Sequence, residues 1–145
     1  MAAPTYTWEF SENLFSDSVP KIITLAASTG LMTKVGTLLI TDSSGHLDEA
    51  TATVVKIIGL AAEEISVAAT EGDPVKVAVI GPGMVIKGTS DADASSRSGF
   101  YGKLFDLNSD GSLDYADAGN GSLSIYRTED SGLTVYCTVG SGAAF

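Results

Sequence analysis

The chain has 145 residues, a formal net charge of −10, 44% hydrophobic and 18% charged residues, and 16 glycines. That length is enough to bury most of the apolar surface in one domain, or in two small units sharing a core, without added staples. The charge excludes a nucleic-acid groove, because such grooves set Lys and Arg against phosphates, and no stretch approaches the roughly eighteen apolar residues of a membrane span.

Sparse charge and abundant glycine predict short strands and tight turns rather than helices. Cys137 is the only cysteine, so the chain forms no internal disulfide, which suits maturation in a reducing compartment. The opening MAAPTYTWEF has no basic region followed by a long apolar run and is not expected to act as a secretory signal.

Residues 1–28 are expected to form an N-terminal arm and a first strand. Tyr6, Trp8 and Phe10 alternate with Thr7 and Glu9, with Phe15 following, so an extended arm carries one aromatic face. Such an arm can lie on its own domain as an edge strand, or it can add to a neighbour's sheet and seat alternate side chains there. On the second reading Tyr6, Trp8, Phe10 and Phe15 are the candidate partner-binding residues. Lys21 to Ala27 reads as a short apolar strand.

Residues 29–88 are read as a first β unit. Val35 to Thr41 is β-rich, and Asp42-Ser43-Ser44-Gly45 supplies a turn in which Gly takes positive φ without steric cost. In Val54 to Ala61, β-branched pairs and Gly59 favour a return strand over a helix. Ile65 to Ala69 reads as one more short strand, and Val75 to Ile80 as another. Met84 to Gly88 is expected to close this unit after the break at Gly81-Pro82-Gly83. Residues 89–98, small and polar, form the candidate linker, and residues 99–145 a second β unit, all within a single compact domain.

The two units look like copies. Gly36 to Ala50 (GTLLITDSSGHLDEA) and Gly102 to Ala116 (GKLFDLNSDGSLDYA) align without a gap and share seven residues in fifteen. Self-similarity of this kind marks an internal duplication. The expected fold class is all-β, a small sandwich or partly open barrel of short strands with an extended N-terminal arm. Unpaired edges are the hazard of such a fold, and few Lys are present to blunt them.

Asp106, Asn108, Asp110, Asp114 and Asp117 stand at positions 1, 3, 5, 9 and 12 of a calcium-type loop, with Gly111 at position 6 and Leu113 at position 8. A structural calcium is one reading of this pattern. An ordinary acidic hairpin is the other, supported by the first copy, where Ile40, Asp42, Ser44, Gly45 and Asp48 keep the scaffold without the full ligand set. Flanking helices are absent from the pattern, and position 12 is Asp rather than the longer Glu. No cofactor is required. His46, the sole histidine, is read as an exposed, unpaired turn residue, and the adjacent acids Glu63/Glu64 and Glu129/Asp130 point to opposite strand faces. Nothing assembles a catalytic set, so no enzyme is expected.

The segment VGTLLITDSSGHLDEATATVVKIIGLAAEE, with the later EGDPVKVAVIGPGMVIKG, resembles the head-decoration or capsid-cement proteins of tailed bacteriophages, the lambda-type class. The likeness covers Val35 to Gly88, and the second copy repeats it more loosely. It implies a viral structural protein, made in the host cytoplasm, that binds the outside of the head, bridges major capsid subunits and stabilises the shell, often as a trimer. The extra unit with its calcium-like loop departs from that pattern. Other classes compatible with an acidic, aromatic β chain are a calcium-dependent extracellular adhesion or carbohydrate-binding module and a tail or baseplate β domain.

Overall fold

The computed structural model describes residues 3–50, 57–118 and 121–139. These residues form eleven strands: β1 (Glu9–Asn13), β2 (Lys21–Ala26), β3 (Leu38–Thr41), β4 (Leu47–Glu49), β5 (Gly59–Ala61), β6 (Pro74–Val79), β7 (Met84–Thr89), β8 (Phe105–Leu107), β9 (Leu113–Ala118), β10 (Leu123–Glu129) and β11 (Thr134–Val139). The only helical pieces among the described residues are one α turn at Arg97–Phe100 and one 3-10 turn at Asp130–Gly132. No helix there is long and apolar enough to cross a membrane. The strands make two packed antiparallel sheets with no closed barrel, which is the sandwich form of the expected all-β class.

The duplication governs both sheets. One has the order β2-β6-β5-β3-β4 and the other β1-β7-β11-β10-β8-β9, so the second sheet repeats the first strand for strand and adds β1 at its edge. The aligned hairpins share their register: Ile40 faces Asp48 and Thr41 faces Leu47 in the first, and Asp106 faces Asp114 and Leu107 faces Leu113 in the second. Their turns close alike, with Gly45 N–H donating to the Asp42 carbonyl and Gly111 N–H to that of Asn108, both at 3.0 Å. Gly45 has φ 81° and Gly111 φ 92°, a region costly for a residue with a Cβ. Each unit also curls until the end of its first strand meets its hairpin in one parallel bridge, Ala27 with Leu47 and Ser90 with Leu113.

Alternation along the first sheet divides its apolar side chains between two cores. Leu39, Leu47, Ala61, Val75 and Val77 fill the inside of the first unit. Leu38, Leu60 and Ile80 turn the other way, into the larger core built around Phe105, Leu107, Leu113, Leu123, Val135 and Cys137 of the second unit. Period-two strands do this without extra residues, since neighbours along a strand point to opposite faces. The shared core is what joins the units into one domain.

Several boundaries differ from the sequence reading. Met84–Thr89 does not close the first unit: β7 lies between β1 and β11 in the second sheet. Residues 89–98 are not a free linker, because Ser90 and Ala94 are buried and Ser90 N–H donates to the Leu133 carbonyl at 2.9 Å. Polar composition there reflects local capping, with Ser95 N–H on Asp93 and the Asp91 carboxylate accepting from Asn108 Nδ2 and Tyr115 N–H. Lys21–Ala26 belongs with the first unit rather than with the arm, as it pairs with β6 throughout. Ile65 forms only a single bridge to Thr33, and Val54 to Lys56 of the expected return strand lie outside the described residues.

Candidate binding surface

The four aromatic residues of the arm have different fates. Trp8 is 3% exposed: its indole Nε1 donates to the Gly111 carbonyl at 2.8 Å, and its ring lies on Gly88, where a Cβ would stand 2.2 to 2.5 Å from three ring carbons. Its own N–H donates to the Gly36 carbonyl and that of Tyr6 to the Asp110 carbonyl, both at 2.8 Å. The segment Tyr6–Trp8 therefore clamps the first unit to the hairpin of the second. Reading Trp8 as a partner-binding residue is corrected, since burial and hydrogen bonding commit it to the fold.

Phe10 sits in β1 opposite Ile86, half-buried, and the β1–β7 edge is crossed by an ion pair from Lys87 Nζ to Glu9 Oε1 at 3.8 Å. Tyr6 is partly exposed. Phe15 is 67% exposed and rests over Gly83, whose missing side chain makes room for the ring. It belongs to a loop, Leu14 to Val19, in which Leu14 and Val19 are also exposed large apolar residues. Asn13 shapes that loop, its Oδ1 accepting from Phe15 N–H at 2.9 Å and Ser16 N–H at 3.2 Å. Leu14 and Val19 were not singled out in the sequence, because isolated apolar residues among Ser, Asn and Asp carry no periodic signal.

The acidic hairpin closes on itself. Asp110 Oδ1 accepts from Ser112 N–H at 3.0 Å and Ser112 Oγ at 2.6 Å, and Asn108 Nδ2 donates to Ser112 Oγ at 3.0 Å and Asp91 Oδ2 at 2.9 Å. Asp106 and Asp114 face each other across β8 and β9, and Asp117 lies within the register break of β9 between Asp114 and Ala118. Burial, then Asp117 and Asp114, raise the Asp106 carboxyl above the usual range, and its Oδ1 is buried without a hydrogen-bond partner. Among the described residues no group of three or more His, Cys, Asp or Glu side chains is placed to hold a metal ion. The five calcium-loop residues are thus divided between a hydrogen-bonded turn and two strands.

His46 departs from expectation: it is half-buried, with Nδ1 3.3 Å from Glu71 Oε1. Cys137 is fully buried and burial pushes its thiol far up, so it packs as a small apolar residue. Arg127 lies over the Tyr136 ring at 3.6 Å and pairs with Glu129, a surface arrangement.

The remaining feature is β2. It ends its sheet, and Lys21 to Thr24 are exposed, including Ile22 and Ile23. No protein-family model matches the chain, and no curated protein matches it.

Proposed function

We propose that the chain is a structural binding protein of the virion, a head-decoration protein of a tailed phage that attaches to the outer capsid surface and bridges major capsid subunits. The observation that supports it most is the loop Leu14–Val19, which holds Leu14, Phe15 and Val19 outward beside the exposed strand β2. Large apolar side chains exposed together in one loop are a feature of interaction sites, and loops on a rigid scaffold are where such sites sit. The net charge of −10 suits a surface facing away from packaged DNA. Many modest contacts on a symmetric shell add up through multivalency, so no single patch need bind tightly.

The test is co-sedimentation with undecorated, expanded heads assembled from the major capsid protein of the phage that encodes the chain. Saturable binding at a fixed ratio is expected, and the double change Phe15→Ser, Val19→Ser, which alters two exposed side chains, should reduce it at least tenfold. Absence of saturable binding by the parent chain would sink the reading.

A further inference from the structure

The two units differ at their outer edge. In the second, β1 lies along β7; in the first, β2 has among the described residues a hydrogen-bonded neighbour strand only in β6. The bridges to the matched residues Leu47 and Leu113 make Ala27 the counterpart of Ser90, and counting back makes Ile22, Ile23 and Thr24 the counterparts of Val85, Ile86 and Lys87. Val85 and Ile86 are 0% exposed, whereas Ile22 and Ile23 are 60% and 37% exposed. Ile86 is covered on its outer side by Phe10, its partner in β1. Ile23 faces the same kind of core position, opposite the buried Val77, with no strand of the described residues beyond it.

The backbone of this edge is aimed outward. Lys76 turns its carbonyl to Ala62 N–H and its own N–H to Glu63 Oε2, each at 3.0 Å, so both groups point toward β5. Along antiparallel strands a residue's N–H and C=O leave on one side, and that side alternates from residue to residue. Thr24, which faces Lys76, therefore directs both groups away from β6, and Ile22 does the same. The edge carries none of the usual protections against pairing: no Pro lies within Lys21–Ala26, the register shows no bulge, and its one charge, Lys21, is at the end.

The geometry points to pairing of this edge with the same edge of a second copy of the chain, antiparallel, about a two-fold axis at Ile23. In that register Ile22 of one copy faces Thr24 of the other, and their outward N–H and C=O groups exchange hydrogen bonds. Ile23 faces its own counterpart as a close, non-hydrogen-bonded pair, each covering the other as Phe10 covers Ile86. Lys21 meets Leu25, so no like charges are opposed. A self-complementary edge closes on two copies and leaves neither β2 edge open to a third. The occupant is a second copy rather than another protein because one contact satisfies two identical edges with residues already in hand. The inference does not rest on the capsid reading, and it gives a two-fold contact where the resemblance implies a trimer.

Sedimentation of the full chain tests it, loaded from about 1 µM to about 1 mM, the span that brackets interfaces at the small end of the size range. The buffer holds about 0.15 M salt, which screens charges more than about 8 Å apart. A monomer–dimer equilibrium is expected. Thr24→Pro, which removes an outward N–H and no hydrogen bond to β6, should weaken it at least tenfold with an unchanged circular dichroism spectrum. Register is read by mild oxidation: Ile23→Cys should give a disulfide-linked dimer, and Ile22→Cys at least fivefold less. A monomer throughout, including one that pairs only with a capsid strand, overturns the inference. So does a trimer, or equal cross-linking at the two positions.

Discussion

Trp8→Ala is the change with the largest expected effect on the fold. The side chain is buried against Gly88 and joins the larger core, and truncating a buried Phe or Trp costs about 3–5 kcal/mol. Loss of the Nε1 hydrogen bond to the Gly111 carbonyl lies partly within that figure and adds on the order of 1 kcal/mol where water cannot replace it. A total of about 4 kcal/mol is a large share of the roughly 5–15 kcal/mol that stabilises a domain. Unfolding entropy for a chain of this size makes 1 kcal/mol equal to about 3 °C, so Tm should fall by about 12 °C. Urea unfolding followed by far-ultraviolet circular dichroism gives ΔΔG directly. Phe15→Ala, exposed in its loop, should cost less than about 1 kcal/mol in the same assay. A cost below about 1 kcal/mol for Trp8→Ala would refute the clamp and return the aromatic to a partner-binding arm.

Other outcomes follow from the same contacts. Gly88→Ala places a Cβ inside the Trp8 ring, so it should cost about 2–3 kcal/mol alone but under about 1 kcal/mol in the Trp8→Ala background, the coupling that contacting residues show in a double-mutant cycle. The Asp106 carboxyl is raised by burial and by Asp117 and Asp114. The folded state therefore holds this proton more tightly than the unfolded chain, and the group's contribution to stability diminishes as pH rises through the folded pKa. Asp106→Asn should accordingly raise stability at pH 7 by on the order of 1 kcal/mol and flatten that part of the pH profile of Tm; a loss of stability at pH 7 would contradict the assignment. Calcium at about a hundredfold excess over a real site's Kd would add roughly 3 kcal/mol. Because Asp110 and Asn108 are already engaged with Ser112 within the turn, millimolar calcium is expected to leave Tm unchanged within about 1 °C, and a rise abolished by Asp106→Ala with Asp110→Ala would support a calcium site instead.

Much of the fold was legible because duplication preserves what turns require. Gly45 and Gly111 recur for positive φ, and Leu47, Leu113, Asp48 and Asp114 recur for register, so the hairpins could be aligned from residues alone. Their flanking strands could not: Lys21–Ala26 and Met84–Thr89 occupy matched places yet share only the isoleucine at Ile23 and Ile86, because any apolar β residue serves there. That hid the full five-strand repeat and sent β7 to the wrong unit. Residues 89–98 read as linker because Ser, Asp and Ala suit both solvent and tight caps. The alternation of Tyr6, Trp8 and Phe10 fits docking in cis or in trans equally; the deciding partners, Gly88 and Gly111, are distant in sequence and have no side chains to signal contact. In the acidic loop, the spacing suits a calcium pattern and a plain hairpin equally, and the pairing of Asp106 with Asp114 across β8 and β9 is a long-range feature that spacing does not carry.

The claim that the chain cements a phage head is tested most directly by the temperature at which DNA-filled heads release their DNA, measured as bound chain is added up to saturation. Release is expected to shift to higher temperature in proportion to occupancy and to level off when the sites are full. Heads that take up the chain at a fixed ratio yet release DNA at an unchanged temperature would contradict the cement role.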